Sequence, residues 1–151
     1  MNPETAIEGI EYKKSAVIHV FNDKGELALQ LRAAHDDSYP SYWDFSAGGG
    51  VDAGEDPTVA ARREIQEELG VEADVAFVDR STHQYQKWNS KRTREEDIHL
   101  FTARHNGPFK PDLNEVEKIE FFSIDKIKQM IAAGEKFHPG FLAAWERGIN
   151  K

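Results

Sequence analysis

A run of three glycines, Gly48-Gly49-Gly50, just ahead of a helix with both ends marked, restricts this chain's fold more than any other feature. Asp56 offers a capping carboxylate, and Pro57 takes the first helical position, where its missing N–H does no harm. Thr58 to Leu69 continue with strong helix formers until Gly70 stops them. Within this predicted helix Ala61, Ile65 and Leu69 recur every four residues as an apolar stripe. Glu64, Glu67 and Glu68 fall at i, i+3 and i+4, on a neighbouring face predicted to lie off the buried one. Three carboxylates there repel one another. Arg63 and solvent relieve part of that repulsion, and a partner more positive than any side chain relieves more.

A hard divalent cation, Mg²⁺ or Mn²⁺, suits such a face. Both accept carboxylate oxygens, carbonyls and water, and Mg²⁺ keeps several waters for substrate and nucleophile. The glycines fit the same chemistry, since a chain without Cβ atoms turns sharply and brings its carbonyls close to a metal. Cysteine is absent, which excludes a thiolate zinc site and a disulfide framework. Clustered metal ions lower the pKa of bound water, aim it at a phosphorus atom and neutralise phosphate oxygens. Nineteen Lys and Arg against 27 Asp and Glu give 19 − 27 = −8, which argues against a nucleic-acid polymer or an anionic membrane as partner. Positive charge for an anionic substrate therefore has to be supplied locally.

The rest of the chain mixes strands and helices. Ser15 to Phe21 is β-prone, Asn22-Asp23-Lys24-Gly25 is a turn, and Leu27, Leu29 and Leu31 alternate along a return arm from Glu26 to Arg32, so a hairpin is predicted. The stretch from Ala33 to Gly50 reads as loop. Val71 to Val78 is β, with Asp79 to Gln84 as its continuation, and Tyr85 to Arg94 interrupts it. A strand follows over Ile98 to Ala103, and Val116 to Phe122 is one more short segment. Ser123 caps a helix running to about Ala133, and Pro139 opens a last helix containing Phe141, Leu142 and Trp145. No linker or repeat divides the chain, so residues 1–151 are expected to form one domain. Met1-Asn2-Pro3-Glu4-Thr5-Ala6 carries no basic-then-apolar signal, and no apolar run approaches the ~20 residues that span a bilayer; a cytoplasmic location is the expectation.

Read whole, the segment from Gly49 to Val71 resembles the Nudix box. That motif is a glycine, five residues, a glutamate, seven residues, then Arg-Glu, an aliphatic, one residue, Glu-Glu, one residue, a glycine and an aliphatic. Gly49, Glu55, Arg63, Glu64, Ile65, Glu67, Glu68, Gly70 and Val71 fill every defined position. The resemblance implies an α/β fold, an α/β/α sandwich with a mixed sheet and a loop–helix–loop metal site, hydrolysing a diphosphate linked to another moiety. By position it implies that Glu64, Glu67 and Glu68 give carboxylates to Mg²⁺ or Mn²⁺, that Gly48 offers its carbonyl, and that Arg63 and Glu55 orient the loop and helix, with Gly49 and Gly70 in structural support. Either Glu64 or an acidic residue outside the box activates the water. A homodimer fits the family.

Outside the box the acidic candidates are Glu95, Glu96 and Asp97, read as lying immediately before the strand at Ile98, and Glu115 and Glu117. Glu96 is preferred as an extra ligand, since it resembles an acidic strand residue of the isomerase branch described next. Ala16 to Gly25, Leu29 to Arg32 and Trp43 to Gly49 look like Nudix proteins close to isopentenyl-diphosphate isomerase. Those isomerases use a cysteine in protonation, and its absence here favours hydrolysis. Trp43, Phe45, Tyr85 and Trp88 are candidates for stacking on a substrate, and Arg32, with the basic Lys87, Lys91, Arg92 and Arg94 near Tyr85 and Trp88, for contacting its phosphates. His19, His83, His99, His105 and His138 show no ligand spacing, though His83 is expected near the cleft. The reaction expected is metal-dependent hydrolysis of a nucleoside diphosphate derivative or other small organic diphosphate. A ligand sensor with little catalysis and an isomerase-like enzyme are the alternatives.

Overall fold

The first apolar run extends further than its β-prone centre. In a computed structural model that describes residues 9–147, β1 spans Ile10–Phe21. The reading of Met1 to Ala6 lies outside the described residues. β2 (Leu27–Arg32) follows the turn at Asn22, but β1 and β2 pair only where Phe21 meets Leu27. The predicted hairpin therefore opens immediately above its turn. The reason is β4 (Ala47–Gly50), which pairs antiparallel with β1 from Ser15 to Ile18 and takes the edge β2 would have used. Ser46 fills the split: its fully buried hydroxyl accepts from the Val20 amide at 2.8 Å and donates to the Ala28 carbonyl at 2.5 Å.

The stretch read as loop thus contains two short strands, β3 (Trp43–Asp44) on β2 and β4 on β1. After the helix α1 (Pro57–Leu69) come β5 (Val75–Gln86), β6 (Thr93–Arg104) and β7 (Val116–Phe122). The main path runs β3-β2-β1-β6-β5; β1 and β6 are parallel, β5 and β6 antiparallel, and β7 adds to β2. β6 begins five residues earlier than the sequence suggests, so Glu95, Glu96 and Asp97 lie within it rather than ahead of it. Flanking strands override the low β propensity of this charged run: Gln84 donates to Glu95 at 2.8 Å, and Arg80 forms two 3.0 Å bonds to Asp97.

The helices α2 (Ile124–Ala132) and α3 (Pro139–Glu146) begin at the predicted positions, capped by Ser123 and His138. Along β1, alternate residues serve opposite faces of the sheet. Ala16, Ile18 and Val20 pack with Ala61, Ile65 and Leu69 of α1, whereas Val17 packs with Phe141 and Trp145 of α3 and Ile127 of α2. Helices therefore cover both faces of a mixed sheet, which is the α/β/α sandwich expected.

His19 shares the α3 face and is fully buried between Phe45 and Phe141, with ring centroids 5.2 and 5.7 Å away and no hydrogen bond to either nitrogen. Burial lowers its pKa from 6.5 to about 3, opposed by the Asp44 charge. Below pH 6.5 the unfolded chain takes up a proton the native state refuses, so stability falls with pH from 6.5 toward 3. We expect a slope of up to about 1.4 kcal/mol per pH unit from this residue. Urea titrations over that range should show the slope in the wild type and its reduction in His19→Leu.

Candidate active site

Arg63 organises the junction between α1 and the glycine strand. Its guanidinium grips Glu55 through Nε at 3.0 Å and Nη2 at 2.9 Å, reaches the Gly50 carbonyl at 3.0 Å, and donates to Glu64 at 2.9 Å and Glu67 at 3.4 Å. The Glu55 carboxylate also accepts from the Asp52 amide at 3.0 Å. Hydrogen bonds from Arg63, then from Asp52, hold Glu55 at about 2, and the same pair pushes Arg63 up. One side chain thereby joins loop, strand and helix. Asp56 caps the helix by accepting from the Thr58 amide, as its sequence predicts.

The acidic face of α1 is not a solvent face. Glu64 is 8% exposed and Glu68 7%, while only Glu67 faces outward. This corrects the placement of the three glutamates off the buried side. The glycines explain how the helix comes so near: a Cβ on Gly49 would overlap the Glu64 carboxylate, with its Cδ 2.6 Å away. The Gly48 amide donates to Glu68 Oε1 at 2.7 Å. Burial raises Glu64, opposed by Arg63 and reinforced by Glu67. Burial pushes Glu68 well above the carboxylate range, against the Gly48 hydrogen bond, with further repulsion from Glu64, Glu115 and Asp44.

Beside this junction lies a cleft of about 220 Å³. Gly48, Gly49, Glu68 and Glu96 line it, as do Arg32, Phe45 and Tyr85 from the substrate-contact candidates. Glu96, 5% exposed, accepts from the Tyr85 hydroxyl at 2.6 Å. Arg32 is already engaged by Asp44 at 3.1 Å, Asp36 at 3.2 Å and the Ser38 carbonyl at 3.0 Å. Three other candidates stand off the lining. Trp43 packs edge-on against Phe122 at 5.4 Å, Trp88 lies against Tyr39 at 5.1 Å, and Arg92 pairs with Glu11. Gly70 sits at the far end of α1, and Glu117 is exposed.

Reasoning from sequence missed several lining residues. Asp44 and His138 are brought in by β3 and by the start of α3, and Lys13 by β1, whereas Lys87 and Arg94, both basic candidates from the sequence, do line the cleft. His83, expected here, instead contacts Ser81 Oγ at 2.8 Å. His138 accepts from the Gly140 amide at 3.0 Å, and burial lowers its pKa. Asp44, His138 and Lys13 belong to no spacing pattern, so only the fold assembles them.

Among the described residues no three His, Asp or Glu side chains form a ready ligand set. The donors at the junction are nonetheless all oxygen, and two are buried carboxylates that repel each other, Glu64 offset by Arg63 and Glu68 by the charge of Arg32 and the Gly48 amide. That chemistry fits a hard divalent cation and does not fit a thiolate metal. No described helix is long and apolar enough to cross a membrane.

Comparisons with known proteins agree with this geometry. The family model described as NUDIX domain matches residues 11–145. The Nudix hydrolase YfcD of Escherichia coli K12 is 30% identical over 131 residues, covering 87% of this chain and 68% of that protein. The Nudix hydrolase lmo0368 of Listeria monocytogenes is 48% identical over 62 residues, 40% of this chain and 37% of its own length. The match therefore spans little more than a third of the Listeria protein. In fold, the chain is similar to DR0079 from Deinococcus radiodurans (TM-score 0.75, 21% identity, 91% of this chain and 83% of that one). It is also similar to the MutT protein from Methanosarcina mazei Go1 (TM-score 0.70, 20% identity, 93% and 96%). A family match running from β1 through α3 makes this chain a member of the Nudix family.

Proposed function

We propose that residues 1–151 act as one domain that hydrolyses the diphosphate linkage of a small organic molecule, such as a nucleoside diphosphate derivative, with Mg²⁺ or Mn²⁺. The observation that carries this reading is the pair of buried carboxylates, Glu64 and Glu68, packed against the glycine strand, with Glu68 lining the adjoining cleft. Nudix proteins commonly use divalent metals, and here Glu64, Glu67 and Glu68 would hold the ion, with Gly48 and Glu96 as further oxygen donors. When bound, such an ion supplies charge neutralisation for the phosphate oxygens and acidifies water.

The chain's own residues would do the rest. Arg63, fixed by Glu55, sets the spacing of Glu64 and Glu67 and ties both to Gly50. Glu64 has Oε1 held by Arg63 and no donor among the described residues on Oε2, and we assign it to take the proton of the attacking water. Phe45 and Tyr85 would confine the organic moiety from the α3 side. The likeness to the isomerase branch bears on the outline of this cleft; with no cysteine in the chain, we assign hydrolysis rather than double-bond migration.

The test is release of orthophosphate and of newly exposed phosphomonoesters. The panel holds nucleoside triphosphates, nucleotide sugars, dinucleotides, coenzyme A and isoprenyl diphosphates, each with Mg²⁺ or Mn²⁺. Turnover that requires metal and disappears in Glu67→Gln,Glu68→Gln is the expected result. A wild type that binds members of the panel without turning any over would replace hydrolysis with the sensor reading, and a rearranged product that keeps its phosphates would favour isomerisation.

A further inference from the structure

The cleft is lined by carboxylates, Asp44, Glu68 and Glu96, and by cations, among them Lys13, Lys87 and Arg94, which form a basic wall where β1, β5 and β6 meet, with Glu96 set beside Lys13. The basic wall follows from the strands. Lys13, Ser15 and Val17 are alternate residues of β1 and so share its cleft face, and the parallel register with β6 sets Glu11 opposite Arg94.

This wall is under-neutralised. Glu11 is the carboxylate for Lys87 and Arg92, which contact it closely, and for Arg94 at 3.8 Å. One negative charge serves three positive ones. Lys13 forms no ion pair among the described residues, and the register sets it opposite Glu96, so four cations meet two carboxylates here and the local excess is two positive charges in a chain whose net charge is −8. Arg32 is the contrast: two carboxylates and a carbonyl already occupy it. Ser15 is 1% exposed, lines the cleft beside Lys13, and has a hydroxyl with no hydrogen-bond partner among the described residues. A buried hydroxyl left unpaired is unfavourable, and an anionic oxygen seated on the wall would pair it.

We propose that Lys13, Ser15 and Arg94, with Lys87 at the rim, form a subsite for the unesterified terminal phosphate of the substrate. The enzyme's preferred class is then diphosphates substituted at one end, not those capped by organic groups at both. A terminal phosphate carries close to two negative charges at neutral pH, whereas a phosphate esterified on both sides carries one. A local excess of two positive charges, matched to the doubly charged group, discriminates between them in favour of the first. The inference rests on the hydrolytic reading for the word substrate, though the binding it predicts requires no metal and no turnover.

The probes are a phenyl methylenediphosphonate monoester, with one phosphonate free, and the corresponding diphenyl diester; neither hydrolyses. Calorimetry in EDTA should show the wild type binding the monoester about tenfold more tightly than the diester. Lys13→Met and Arg94→Met should each weaken the monoester by about tenfold and erase the preference, while the exposed turn variant Lys24→Met leaves both unchanged. Ser15→Ala should weaken monoester binding with no loss of thermal stability, a separation that a purely structural serine would not give. Glu68→Gln should retain the preference. Equal affinity for the two probes, no binding of either, or a preference that survives both Lys13→Met and Arg94→Met would overturn the subsite. A retained preference in a protein that turns over nothing would instead defeat hydrolysis and leave the subsite standing.

Discussion

Glu68→Gln should yield a protein that is more stable than the wild type and almost inactive. The side chain keeps its shape, and the amide oxygen still accepts from the Gly48 amide at the wild-type position. What disappears is a buried charge facing Glu64, Glu115 and Asp44. Loss of an anionic ligand from the proposed metal site should reduce metal-dependent phosphate release by about 10²–10³-fold. Stability should move the other way, by about 2–4 °C in Tm for each kcal/mol of repulsion relieved.

The sign of the pH dependence makes this specific. The native Glu68 carboxyl holds its proton above its ordinary value of 4.5, where the unfolded chain has released it. Raising pH from 4.5 through the native pKa therefore lowers wild-type stability, because the folded state binds more protons in that window. In EDTA the Tm advantage of Glu68→Gln should be small near pH 4 and large at pH 8. Adding Mg²⁺ should reverse the order at pH 8 by raising the wild-type Tm and leaving the variant nearly unchanged, since a ligand of the native state stabilises it by mass action. An advantage that shrinks as pH rises would refute the account of Glu68 as a strained, buried anion.

That same burial is what the sequence conceals. Glu64, Glu67 and Glu68 read correctly as neighbours on one helix turn, because i, i+3, i+4 geometry is local. Their depth is set by what packs over them, and Gly49 permits an approach that no side chain would tolerate. Caps were legible for the same local reason: Asp56, Ser123 and Pro139 each begin a helix where expected. β3 and β4 were not, since strands of two and four residues owe their existence to distant partners on β2 and β1. The cleft divides along the same line. Gly49 and Glu68 come from one continuous motif, whereas Asp44, Lys13 and His138 meet only after three separate elements fold together. Trp43 looked like a stacking residue by its position before the glycines, but Phe122 of β7 claims its ring.

The complementary expectation concerns Gly70, where stability should fall while chemistry is kept. Gly70 ends α1 with φ at 67°, and its amide closes the helix on the Gln66 carbonyl. An alanine there takes on left-handed backbone strain of about 1–2 kcal/mol. Space adds a second penalty, because a Cβ would stand 2.6 Å from the Lys110 carbonyl oxygen and 2.9 Å from its Cβ. That contact cannot swing aside: the Lys110 amide donates to the Leu69 carbonyl at 2.8 Å, and the Asp112 amide to that of Glu68 at 3.2 Å, so the segment is stitched to the helix end. Gly70→Ala should therefore lose about 2–4 kcal/mol, seen as a lower urea midpoint with an unchanged m-value. The carboxylates and Arg63 lie further up the helix, held by Glu55, Gly48 and Gly50. At temperatures well below the lowered Tm, kcat and KM should stay within about twofold of wild type. A variant of normal stability would show that the 110–112 segment yields freely; a variant of low stability that also lost turnover would show that the end of α1 and its carboxylates move as one body.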